Sequence, residues 1–220
     1  MAAPRIHTEA TAVVLLGSFN PRIFEPLWFS RHDLVPEQEA EAAEVQMIDR
    51  EFCRVNFGWV DLVVTEERLQ AESTSETVND SQIRDLLVSI FRLLPHIPVN
   101  VGSIHHRWHL AIDTEAEWHG VGHALAPKEI WDGVLEEPGM FDFAMLGRRP
   151  DDLEGAIKVR IQPSRAVSPG IFMNVNDEFS LAAADGEVPL AVADVLDKLW
   201  LEAGSRAVGI RKELLARLIP

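Results

Sequence analysis

The chain contains no tyrosine and only one cysteine, Cys53, among its 220 residues. A lone thiol excludes an internal disulfide and any cysteine-rich zinc or iron–sulfur site. The absence of tyrosine removes one common acid–base side chain. Long apolar runs are also missing, and the stretch AVVLLG is far too short to cross a bilayer. No basic segment followed by a long apolar core opens the sequence, so no signal peptide is expected and the cytoplasm is the expected location. Basic residues are scarce: 20 Lys and Arg face 35 Asp and Glu, a formal charge of −15. Such a surface repels phosphate backbones and anionic membranes unless a basic patch overrides it. No patch does, because Arg148, Arg149, Lys158 and Arg160 are interleaved with Asp151, Asp152 and Glu154. Neither a nucleic acid nor a membrane is therefore an expected partner. Phosphate loops, Rossmann glycines and nucleophile elbows are absent as well, since Gly17-Ser18 and Gly102-Ser103 lack the further glycines and lysine that phosphate loops need.

What remains is an ordinary globular composition, 47% hydrophobic and 25% charged, in a length suited to one large domain or two joined halves. Residues 1 to 10 carry little pattern and read as a loose arm. Thr11 to Leu16 reads as a buried strand, and Gly17 to Pro21 as a turn in which Asn20 caps and Pro21 takes the first helical position. RIFEPLWFSRHDL follows as a short helical segment distorted by Pro26. After an acidic stretch, the period changes to two through Val45 to Met47, Phe52 to Phe57, Trp59 to Val64 and Arg68 to Glu72. The short links between these runs predict an antiparallel meander, because parallel pairing needs long crossovers. Asn79 with Gln82 marks a helix start, and Ile83, Leu86, Leu87, Ile90, Phe91 and Leu94 form an apolar stripe.

The second half repeats that order. Val99 to Ile112 reads as a strand, Glu115 to His123 as a short helix capped by Thr114 and Glu117, and Pro127 to Leu135 as a helical turn holding Trp131. Strands are predicted over Phe141 to Leu146, Gly155 to Ile161 and Gly170 to Val175. A long helix after Val188-Pro189 carries Val192, Val195, Leu196, Leu199 and Trp200, with Gly204 and Gly209 interrupting it. Leu62 to Ala71 aligns with Phe172 to Leu181 at an offset of 110, and the two helical stripes align at 109. The predicted fold class is therefore α+β, a tandem pseudo-repeat of antiparallel-sheet units with long helices packed on one face. The expected halves are residues 1–98 and 99–220, sharing one core.

Chemistry concentrates between Ile104 and His123, which hold five of the eight histidines. Strand alternation puts His105, Arg107 and His109 on one side and His106, Trp108 and Leu110 on the other. His119 and His123 share a helical face. A meeting of His105 or His109 with that pair would suit zinc or another divalent metal and would support a metal-dependent hydrolase. The spacing is not that of a zincin helix, and satisfied structural histidines are the plainer reading. The carboxylate pairs Glu66/Glu67 and Asp177/Glu178 read as solvated turns rather than a glycosidase pair. Trp131 with the terminal stripe Leu214, Leu215 and Leu218 supplies candidate interface residues.

The strings FNPRIFEPLWF (19–29), FRLLPHIPVNVGSIHH (91–106), WHGVGHALAPKEIW (118–131) and VNDEF (175–179) together resemble an uncharacterised family of bacterial proteins of about this length. Some of its members look like components of accessory or phage-related gene clusters. That resemblance implies a partner-binding role and carries no catalytic assignment. The expectation is a non-enzymatic protein-binding or assembly protein that self-associates, most simply as a homodimer, without a cofactor. A small-ligand binder using an open face of the sheet is a further alternative.

Overall fold

The structure, a computed structural model, describes residues 4–74, 81–182 and 190–219. The strands are β1 (Arg5–Gly17), β2 (Glu44–Ile48), β3 (Phe52–Asn56), β4 (Val60–Thr65), β5 (Arg68–Ser73), β6 (Val99–Ala111), β7 (Phe143–Arg148), β8 (Gly155–Pro163) and β9 (Gly170–Ser180). The helices are α1 (Pro26–Arg31), α2 (Glu37–Glu41), α3 (Ser81–Leu93), α4 (Glu115–Leu125) and α5 (Val192–Leu218). The described strands form one nine-stranded sheet in the order β2-β3-β4-β5-β1-β6-β9-β8-β7. Every pairing in it is antiparallel.

Short connections produce this result. Glu66 and Glu67 turn the chain between β4 and β5, with Thr65 Oγ1 accepting from the Arg68 amide at 3.1 Å. Asp49 turns it between β2 and β3, its Oδ1 accepting from the amides of Glu51 and Phe52, both at 2.8 Å. In the first half β5 returns to pair with β1, and in the second β9 returns to pair with β6. The two halves join where β1 runs beside β6 from Arg5↔Ala111 to Gly17↔Val99.

The sheet is covered on one face. A first apolar cluster gathers Val13, Leu15, Leu62, Val64 and Leu69 from the sheet with Ile83, Leu87 and Ile90 of α3 and Leu196 and Leu199 of α5. It also takes Ile104, Phe179 and Leu181, so it draws on both halves. Each fully buried leucine or isoleucine in it contributes about 1.5–3 kcal/mol by leaving water. A second cluster, around Trp108, Leu110, Ile161, Ile171 and Met173, is closed by Val121 of α4 and by Ala207 and Leu215 of α5. The 27-residue α5 thus spans both.

Several expectations need correction. The region before Thr11 is not an arm from Arg5 onward, because its backbone pairs with the far end of β6. Pro26 opens α1 instead of distorting it, as its missing N–H costs nothing at a first turn. Gly204 and Gly209 do not interrupt α5. Gly204 stands where α5 packs on the sheet, and a Cβ there would make only ordinary contact with His106 Cε1 at 3.7 Å, so the position does not require a glycine. Strand β9 does not stop at Val175 but continues through Asp177 and Glu178 to Ser180. The offset of 110 consequently matches the β4–β5 hairpin to a single strand. The helical stripes fare better, since Leu86, Leu87, Ile90 and Phe91 are buried, as are Val195, Leu196, Leu199 and Trp200. Asn79 and Val188-Pro189 lie outside the described residues.

Candidate functional site

Strand alternation in β6 holds: Ile104, His106, Trp108 and Leu110 are buried, while His105, Arg107 and His109 are half-buried. The latter three belong to the face opposite the helices. Across it, Asp61, Glu72, Ala12, His105, Asn176 and Lys158 stand side by side on successive strands. The charges there are paired. Arg107 meets Glu72 at 2.6 Å, Arg54 meets Asp61 at 2.9 Å, and Lys158 meets Glu178. A cleft of about 420 Å³ opens on this face beside Arg107, Glu72, His109 and Phe172. Its paired charges give it a polar lining, unlike the apolar pockets that small molecules favour.

The histidines are engaged separately. His105 Nε2 lies 3.1 Å from Ser103 Oγ, and its Nδ1 lies 3.3 Å from Asn174 Nδ2. Burial, and then the neighbouring Arg107 charge, lower its pKa to about 4, so the imidazole is neutral at pH 7. His109 Nδ1 lies 2.8 Å from Ser164 Oγ, and burial followed by the charge of His7 lowers its pKa as well. His119 lines a different cleft of about 500 Å³ with Trp118, Lys128 and Met140. His123 meets Glu129 at 2.8 Å. Among the described residues, no group of three or more His, Cys, Asp or Glu side chains is placed to hold a metal ion. The zinc-type arrangement expected of His105, His109, His119 and His123 is weakened accordingly.

Sequence reasoning missed a buried ionic cluster. Asp177, expected in a turn, sits inside β9 and contacts both Arg149 and Arg206. Arg149 also binds Asp151 through Nε at 2.8 Å and donates to the Glu178 carbonyl at 2.9 Å. The hydrogen bonds from Arg149 to Asp151 hold the Asp151 carboxyl below the usual carboxylate range. The cluster ties β9, the loop after β7 and α5 together. Its partners are charge-matched and enclosed, which suits architecture rather than turnover.

The most exposed apolar surface lies at one corner. A single 3-10 turn, Glu129–Trp131, follows α4, and the chain then runs through Val134 and Leu135 to Phe141, two residues before β7. Ile130 is 74% exposed and Phe141 79%, and Trp131, Val134, Leu135, Met145 and Leu146 are also exposed. Trp131, Leu135, Met140 and Phe141 line a common cleft of about 330 Å³, which makes the lobe continuous with the start of β7. Strand β7 is an edge of the sheet and is exposed along almost its whole length. The other expected interface residues behave differently. Leu215 is buried in the second cluster, and Leu214 and Leu218 pack partly against it, because the terminal turns of α5 close the chain's own core.

Among the described residues no helix is long and apolar enough to cross a membrane. Compared with known proteins, the chain matches no family model and no curated sequence.

Proposed function

We propose that this chain is a protein-binding or assembly protein that works through the corner formed by the Trp131 lobe and β7. The supporting observation is the run of exposed apolar side chains from Ile130 to Leu146 on an otherwise acidic molecule. A monomer rarely leaves so many large apolar groups together in water without a partner to cover them. Aromatic anchors such as Trp131 and Phe141 supply much of the energy in protein contacts. The resemblance to bacterial proteins of accessory gene clusters favours the same role, and the buried lone thiol suits a cytoplasmic setting.

We also read the fold as two related units, residues 1–98 and 99–220. Support comes from the shared order of strand, short helices, meander and long helix, and from the equivalent returns of β5 to β1 and β9 to β6. Because the first apolar cluster draws on both units, either one expressed alone should fail to fold, and co-expression should restore a soluble complex. Independent folding of either would sink this reading.

The binding role is tested by a triple variant, Ile130→Ser, Trp131→Ser and Phe141→Ser. These side chains are exposed, so the melting temperature should hold while self-association and capture of protein partners are lost. Undiminished association in that variant would refute the proposed surface.

A further inference from the structure

The two ends of the sheet are built differently. Strand β2 is broken by a register shift between Val45 and Met47, carries Glu44 and Gln46 outward, and follows the acidic helix α2. Bulges and charges of this kind prevent a strand edge from pairing with another chain. Strand β7 has neither device. It pairs with β8 through six consecutive residues without a shift, and it bears no charge before Arg148. Its outer row of backbone donors and acceptors is a template for one more strand.

We infer that β7 pairs antiparallel with β7 of a second copy of this chain about a two-fold axis at Met145, giving a closed dimer with one continuous sheet. This rests on the binding surface proposed above and names its occupant. A two-fold axis normal to the sheet keeps each face continuous, so the pairing must centre on a single residue opposite itself. Centred on Met145, the open face sets Ala144 of each copy against Leu146 of the other, and Asp142 against Arg148. The other face sets Phe143 against Gly147. At the centre two methionines meet, each flexible enough to lie along the other. Every flanking pair is then large against small or acid against base, and an aromatic ring covers an edge glycine. Centring on Ala144 instead puts Phe143 against Met145 and Asp142 against Leu146. Centring on Leu146 puts Phe143 against Arg149, which is buried in the ionic cluster. Only the Met145 register matches both charge and size. Asp142 already holds Arg160 at 2.7 Å, so Arg148 would join an existing ion pair. The contact is isologous, and with β2 blunted, assembly stops at two.

The test uses the full chain. Directly opposite residues in an antiparallel pair have Cα atoms about 4.5–5.5 Å apart, within disulfide reach. Under mild oxidation Met145→Cys should give a covalent dimer, while wild type, whose only thiol is buried, should not. Phe143→Cys and Gly147→Cys should link when mixed and not singly. Met145→Lys places like charges opposite each other and should weaken dimerisation roughly thirtyfold or more. Mixing Met145→Lys with Met145→Glu should restore a dimer of the two. Circular dichroism confirms that each variant is folded. A wild-type chain that stays monomeric at about 100 µM overturns the self-pairing. So does a dimer in which Met145→Cys does not link, although that result keeps the corner as a candidate surface. The broader binding role fails separately, when the Ile130, Trp131 and Phe141 triple variant changes neither mass nor partner capture.

Discussion

Asp177 on β9 and Arg149 in the loop after β7 form an ion pair inside the protein, with side-chain exposures of 2% and 1%. Arg206 of α5 approaches the same carboxylate from the other side. Removing one partner of such a pair strands a buried charge, which costs about 3–5 kcal/mol. Asp177→Ala should therefore lower the urea midpoint sharply at unchanged slope. Replacing both members, Asp177→Leu with Arg149→Met, should recover much of that loss. Equal loss in the single and double variants would show that the pair does not act as a unit.

Asp177 also marks where reading the sequence ran out. VNDEF carries turn-forming residues, and an aspartate inside a strand runs against β preference. Its partners lie 28 and 29 positions away, beyond any local pattern. Likewise, the pairing of Arg5 to Glu9 with β6 is set by a strand about a hundred residues on, and nothing in RIHTE announces it. Gly204 and Gly209 read as helix breaks, but α5 runs through both because burial of its apolar side against the sheet outweighs the local cost of a glycine. By contrast, the two faces of β6, the α3 stripe and the antiparallel meander were legible, since each depends on neighbours a few residues apart. The exposure of Trp131 could be anticipated from its place in a short lobe after Pro127. Its continuity with β7 could not, because it depends on how the lobe folds back.

The neutral His105 gives the fold a dependence on pH. Its folded pKa, about 4, lies below the 6.5 of a free imidazole, chiefly through burial. Above pH 6.5 both folded and unfolded forms are neutral and stability is unaffected. As the pH falls from about 6.5 to 4 the unfolded chain takes up the proton first, so stability declines, by on the order of 3 kcal/mol at the limit. His109, lowered in the same direction, adds to that window. Urea midpoints measured across this range should fall with acid in the wild type and fall less in His105→Gln. Parallel curves would remove His105 from the account.

Cys53 reports on the opposite end of the sheet. It is fully buried on β3, in the same apolar cluster as Phe24 and Phe29, and its thiol donates to the Phe24 carbonyl at 3.2 Å. Burial, and then the charge of Glu25, push its pKa up from an ordinary 9.0 to about 11. So weak an acid carries about a hundredfold less thiolate at pH 8 than a free cysteine does, before access is considered. Reagent must also wait for the buried segment around Cys53 to open. Labelling by a disulfide reagent should thus be at least about a hundredfold slower in the native protein than in urea. Phe29→Ala removes a ring packed against Phe24, whose carbonyl accepts from the thiol, and should speed labelling, with a loss of about 3–5 kcal/mol in stability. Native labelling as fast as that of the unfolded chain would mean that the short helices after β1 do not close over the sheet.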